Sequence, residues 1–97
     1  MSDPLISAVS GMQVAALRMQ SVASNVANQQ TPNYQPTQVQ QTAQPGGGVS
    51  GSLVKSPPTD LETQLVTGKE ASAAYRANMA VFGAMGRAYQ SLIDIIA

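Results

Sequence analysis

Residues 4–28 read PLISAVSGMQVAALRMQSVASNVAN, and the spacing of their apolar and small side chains decides the fold class. Leu5, Val9, Met12, Ala16, Met19, Ala23 and Val26 recur at gaps of 4, 3, 4, 3, 4 and 3. A heptad seam kept over more than three heptads predicts a helix packed along one stripe. Ala8, Ala15, Leu17 and Ala27 add strong helix formers. Pro4 suits the first helical position, where its missing N–H costs nothing, and Asp3 is placed to cap it.

A second stretch, from about Thr59 to Ile96, repeats the pattern. Thr59 followed by Glu62 reads as a capping box, with Asp60 and Glu62 in the first turn where the helix dipole favours them. The seam then runs Leu61, Leu65, Gly68, Ser72, Tyr75, Met79, Phe82, Gly86, Tyr89, Ile93, Ile96. Between the two stretches the composition changes. Thr31-Pro32-Asn33-Tyr34 is a turn, residues 35–44 are rich in Gln and Thr, and Pro45 with Gly46, Gly47 and Gly48 forms a flexible break. Leu53-Val54 could add a short strand, pairing loosely with residues 37–41. The expected architecture is all-α. Two long antiparallel helices form a coiled-coil hairpin, joined by an extended Gln/Pro/Gly-rich connector with at most a short β-hairpin. By composition the chain divides into residues 1–34, 35–58 and 59–97, with both ends contributing to one helical domain.

Ninety-seven residues suit one small domain. Five basic against five acidic residues balance, which argues against electrostatic capture of nucleic acid or an anionic membrane. The absence of Cys and His removes thiolate and imidazole metal ligands and every Ser-His or Cys-His dyad. Asp60, Glu62 and Glu70 show no pairing suited to general acid–base chemistry, so no catalytic, metal or cofactor site is expected. No run of about 20 apolar residues spans a bilayer, and no basic segment with a continuous apolar core marks a cleaved signal peptide.

The helix surfaces are short of charge. Residues 4–28 carry Arg18 alone, and residues 71–97 carry Arg76, Arg87 and Asp94. A freely solvated helix shows charges opposite its apolar stripe. Here those faces are Ala, Ser, Gln, Gly and Asn, with a further stripe of Ala73, Ala77, Ala80, Ala84 and Ala88. Such faces suit close packing among copies or relatives of the same chain; they also suit a poorly soluble monomer or a low-charge disordered segment. Gly83 and Gly86 point to close backbone approach by a neighbour. Asn25 and Asn28 lie near one face, and their amides can stitch neighbouring backbones without adding charge. For Asn28 a helix C-cap is an equal alternative. Arg18, a lone cation, is expected to meet a carboxylate.

Ser7-Ala8-Val9-Ser10-Gly11-Met12, Arg18-Met19, Ala23-Ser24-Asn25-Val26-Ala27-Asn28 and Thr31-Pro32-Asn33-Tyr34 together resemble the N-terminal signature of the bacterial flagellar axial proteins. Tyr75-Arg76-Ala77-Asn78 and Leu92-Ile93 resemble the matching C-terminal helix. Asn33 stands where that family has Gly, and Asn is the next most tolerant of positive φ. The resemblance covers about two thirds of the chain and is closest to a short proximal-rod-type subunit of the flagellar basal body.

The resemblance implies a structural protein and not an enzyme. It would be exported by the flagellar type III apparatus without signal cleavage. In the periplasmic rod it would assemble helically through its terminal helices to transmit torque. Its partners would be other rod subunits or copies of itself, and the export apparatus. The expected assembly residues are Leu5, Val9, Met12, Met19 and Val26 on the first helix, and Leu65, Tyr75, Met79, Phe82, Tyr89, Ile93 and Ile96 on the second. Asn25, Asn28, Asn78, Arg18 and Tyr34 complete the set. The alternative is a soluble helical adaptor or chaperone-like binder retained in the cytoplasm.

Overall fold

The computed structural model of the chain describes residues 4–96, so Asp3, the expected first cap, lies outside them. Helix α1 spans Pro4–Ala27, strand β1 Thr37–Ala43, strand β2 Val49–Lys55 and helix α2 Leu61–Ile96. The all-α expectation is corrected here. Two antiparallel helices are present, but the connector forms a two-stranded antiparallel sheet of seven-residue strands, and the fold is a mixed helix-plus-hairpin arrangement.

The β1–β2 register runs from Thr37 opposite Lys55 to Ala43 opposite Val49. Its turn is closed by the Gly47 N–H donating to the Gln44 carbonyl and the Gln44 N–H donating to the Gly48 carbonyl, both at 3.0 Å. Gly47 and Gly48 have φ of 98° and 81°, a region that side chains disfavour, so the glycines expected to loosen the connector shape a defined turn. Gly51 lets the sheet lie close on α1. A Cβ there would stand 3.0 Å from Val39 Cγ1 and 3.3 Å from Val14 Cγ2. Among the described residues the sheet packs on α1 and not on α2, and the two lie on adjoining faces of α1, where Asn25 bonds both Thr37 and Gln64.

Being covered on two sides changes which residues α1 buries. Among the described residues the buried apolar side chains are Ala8, Val14, Ala15 and Ala71, joined by the polar Ser21, Asn25 and Ser56. The heptad seam expected from Leu5 to Val26 is therefore not the buried stripe: Ala16 and Ala23 are exposed, and Val9, Met12 and Met19 are half-buried. On α2 the stripe facing α1 contains Gln64, Gly68, Ala71, Tyr75 and Asn78, while Leu65 and Met79 are about half exposed. The expected seam shares Gly68 and Tyr75 with this stripe and elsewhere runs one position out of phase. Small and polar residues make the contact, and larger apolar ones flank it.

The helix ends follow local chemistry. The Asn28 N–H donates to the Ser24 carbonyl at 3.0 Å, closing the last turn of α1, and Asn33 follows in the left-handed region with φ 63°. At the start of α2 the cap is Asp60, whose Oδ1 accepts the Thr63 N–H at 2.8 Å; Thr59 instead bonds the Gln64 side chain. The capping box expected from Thr59 and Glu62 is thus replaced by an Asp cap one residue on.

Candidate assembly interface

The motif residues of α1 converge on the strand that follows. Asn25 is buried and makes four hydrogen bonds. Its Nδ2 donates to the Thr37 carbonyl at 2.8 Å and to Gln64 Oε1 at 3.2 Å; its Oδ1 accepts the Thr37 N–H at 3.0 Å and the Tyr34 hydroxyl at 3.2 Å. Ser24 meets the same Tyr34 hydroxyl at 2.9 Å, and the Ser21 hydroxyl donates to the Thr37 carbonyl at 2.9 Å. Asn28 donates to the Ser24 carbonyl at 2.9 Å and accepts from the Thr31 hydroxyl at 3.2 Å. Asn25 and Tyr34 therefore tie α1, the turn, β1 and α2 together within one chain. Asn25 thus stitches α1 to the Thr37 backbone of its own chain, and Asn28 takes its capping role.

The two ends of the chain meet at a second point. A Cβ on Gly11 would stand 2.7 Å from Asn78 Oδ1, so the Ser7–Met12 motif and the Tyr75–Asn78 motif pack directly on one another. Asn78 turns its amide back to the Ala74 carbonyl at 2.8 Å. Farther along, a Cβ on Gly68 would stand 3.2 Å from Val22 Cγ1. Among the described residues Arg18 meets no carboxylate; its Nη2 donates to Gln41 Oε1 on β1 at 2.9 Å. An amide dipole suffices because the pair is exposed.

These contacts set the register: Gly11 lies level with Asn78, and Val22 with Gly68. Pro4 is then level with about Met85. The rest of α2, roughly 16 Å of helix at 1.5 Å per residue, runs past the described start of α1. That overhang carries Tyr89, Leu92, Ile93, Ile95 and Ile96, with Ile95 and Ile96 79% and 84% exposed. Tyr89, Leu92 and Ile96 continue the α1-facing stripe beyond the end of α1. Phe82, with Leu5, Ile6 and Val9, lines an apolar groove of about 420 Å³ on the flank of the helix pair. Isolated exposed apolar residues are ordinary; a run along a terminal helix face marks an interaction surface.

No protein-family model matches this chain, and no curated protein matches it.

No group of three or more His, Cys, Asp or Glu side chains gathers among the described residues to hold a metal ion. No helix of the described residues is long and apolar enough to cross a membrane. The cleft of about 210 Å³ between α1, the sheet and α2 is lined by hydroxyls, amides, Val22 and Val39, with Arg18 its one charged residue among those described. The residues that sequence reasoning missed are Ser10, Ser21, Thr37 and Gln64, all of them polar partners of the sheet or of Asn25. Their sequence neighbourhoods carry no signal for this, because each bond joins distant segments.

Proposed function

We propose that this chain is a structural subunit of the bacterial flagellar rod. It is exported by the flagellar type III apparatus without a cleaved signal peptide and assembles helically in the periplasm to transmit torque. The observation that carries the reading is the α2 overhang. Past the described start of α1, its apolar stripe continues the face that α1 covers in the first part of the helix, and we read that stripe as the surface a neighbouring subunit's helix packs on. The flagellar-type motifs support the same reading. They knit the two helices and the hairpin into one piece, leaving the overhang as the part that needs company.

The test is where the protein goes. A short epitope inserted beside Gly46, where an added side chain meets open space, is followed in purified hook–basal bodies and in a strain lacking a working flagellar export gate. Recovery in the basal body, with cytoplasmic retention in the export mutant, supports the reading. A soluble cytoplasmic pool in both strains, with none in the basal body, overturns it in favour of a cytoplasmic adaptor.

A further inference from the structure

The outer face of α2, roughly 160° around the helix from the side that meets α1, carries a second periodic stripe. Arg76, Ala80, Gly83, Arg87, Gln90 and Asp94 follow at gaps of 4, 3, 4, 3 and 4. An open groove of about 460 Å³ lies along its first four positions, beside Met79. Gly83 keeps that groove shallow-walled: a Cβ there would meet only Arg87 Nη1, at 3.5 Å. Gln90 donates to Asp94 Oδ1 at 3.2 Å, so the far end of the stripe presents an acid while the near end presents a base.

Reversed end for end, this stripe complements itself. Arg76 falls opposite the partner's Asp94, Ala80 opposite the partner's Gln90, and Gly83 opposite the partner's Arg87, and the same three pairs recur in the other direction. Every long side chain meets a small one or its opposite charge. A parallel, in-register pairing instead sets Arg76 on Arg76 and Arg87 on Arg87, which like-charge repulsion disfavours.

We infer that two copies of this chain pair antiparallel through the Arg76–Asp94 face of α2, forming a closed two-fold dimer distinct from any axial assembly. The pairing does not rest on the rod reading. An isologous contact closes on itself, whereas a filament needs a head-to-tail one. In the dimer each overhang lies against the partner's α2.

Sedimentation of the full chain tests this, with circular dichroism to confirm equal helix content in every variant. The wild type is expected to dimerise. Arg76→Asp and Asp94→Arg are each expected to weaken the dimer roughly tenfold or more by creating like-charge pairs, and the variant carrying both is expected to recover it. Ala80→Cys with Gln90→Cys, in a chain that has no other cysteine, is expected to form a covalent dimer on oxidation. These two sites lie roughly 15 Å apart along one helix and so cannot bridge within a chain. A monomeric wild type at millimolar concentration, a dimer indifferent to both reversals, or a double reversal that fails to restore pairing would each overturn the inference. None of these results depends on whether the protein reaches the basal body.

Discussion

Asn25 and Thr37 bind each other twice: the Asn25 amide donates to the Thr37 carbonyl at 2.8 Å, and the Thr37 N–H donates back to Asn25 Oδ1 at 3.0 Å. A side-chain amide thus pairs with the first residue of β1 as a neighbouring strand would. Buried at 6% exposure, it has no water to fall back on. Asn25→Ala is expected to lower stability by about 1–3 kcal/mol, the cost of stranding buried polar groups, measured by urea unfolding. Asn25→Asp keeps the two acceptor bonds but turns a carboxylate toward the Thr37 carbonyl and Gln64 Oε1. Burial beside those oxygens raises the introduced acid's folded pKa, so this variant gains stability as pH falls, the reverse of an ordinary surface acid.

Gly11 faces Asn78 at a distance no Cβ accommodates without displacing the Asn amide. Gly11→Ala therefore sets a helix-propensity gain of about 1 kcal/mol against loss of the Asn78 bond to the Ala74 carbonyl. In the wild-type background the change is expected to be neutral or destabilising. In an Asn78→Ala background the same substitution is expected to stabilise, and a double-mutant cycle in thermal unfolding reads the coupling.

The hairpin tip is held by Ser10, whose hydroxyl accepts the Val49 N–H at 3.1 Å and donates to the Ser7 carbonyl at 3.1 Å. Gly48 sits against that hydroxyl with φ 81°; a Cβ there would come within 2.6 Å of it. Gly48→Ala is expected to lower stability by roughly 1–2 kcal/mol through strain and crowding together. Ser10→Ala is expected to speed amide exchange at Val49 while leaving the middle of the sheet protected.

Asp60 is held below the ordinary carboxylate range, first by its side-chain hydrogen bond with Thr63 and then by the Thr63 backbone N–H. A depressed folded pKa adds stability that is complete above the unfolded pKa of about 3.9 and is lost as pH falls through the folded value. The start of α2 is therefore expected to loosen in acid below about pH 4. Asp60→Asn, itself a good cap, is expected to remove that site's pH dependence without unfolding the helix at neutral pH. Amide exchange at Thr63 against pH measures both.

Ile93, Ile95 and Ile96 on the overhang are 58%, 79% and 84% exposed. Replacing Ile93 and Ile96 by Ser is expected to change the unfolding free energy of the single chain by no more than about 0.5 kcal/mol per site. Under the rod reading, the same variant is expected to be exported but under-represented in purified basal bodies. A normal basal-body content would show that assembly does not use the overhang.

Helix position was legible in the sequence because its causes are local. Pro4 at the first position, the Ala- and Leu-rich runs and Asp60 and Glu62 flanking Leu61 act within one or two turns, and the helices begin at Pro4 and Leu61 accordingly. The positive φ at Asn33 was legible for the same reason. Which face of each helix is buried was not. Where Ala, Ser and Gly fill most positions, a heptad repeat marks a period without marking its phase. The choice of Ala8, Ala15 and Asn25 over Val9, Met12 and Met19 came from α1 being packed by α2 and by the sheet on adjoining faces. In the sheet only β2 alternates, with Val49, Gly51 and Leu53 separated by Ser50 and Ser52, while β1 sets Val39 among Gln and Thr. Gln- and Thr-rich β1 and its partner β2 are held by Ser10, Ser21 and Asn25, three side chains brought to the sheet from α1. Bonds between segments that far apart exist only once the chain has folded back on itself, so the loose pairing expected of Leu53-Val54 with residues 37–41 became a full seven-residue ladder only in the tertiary structure.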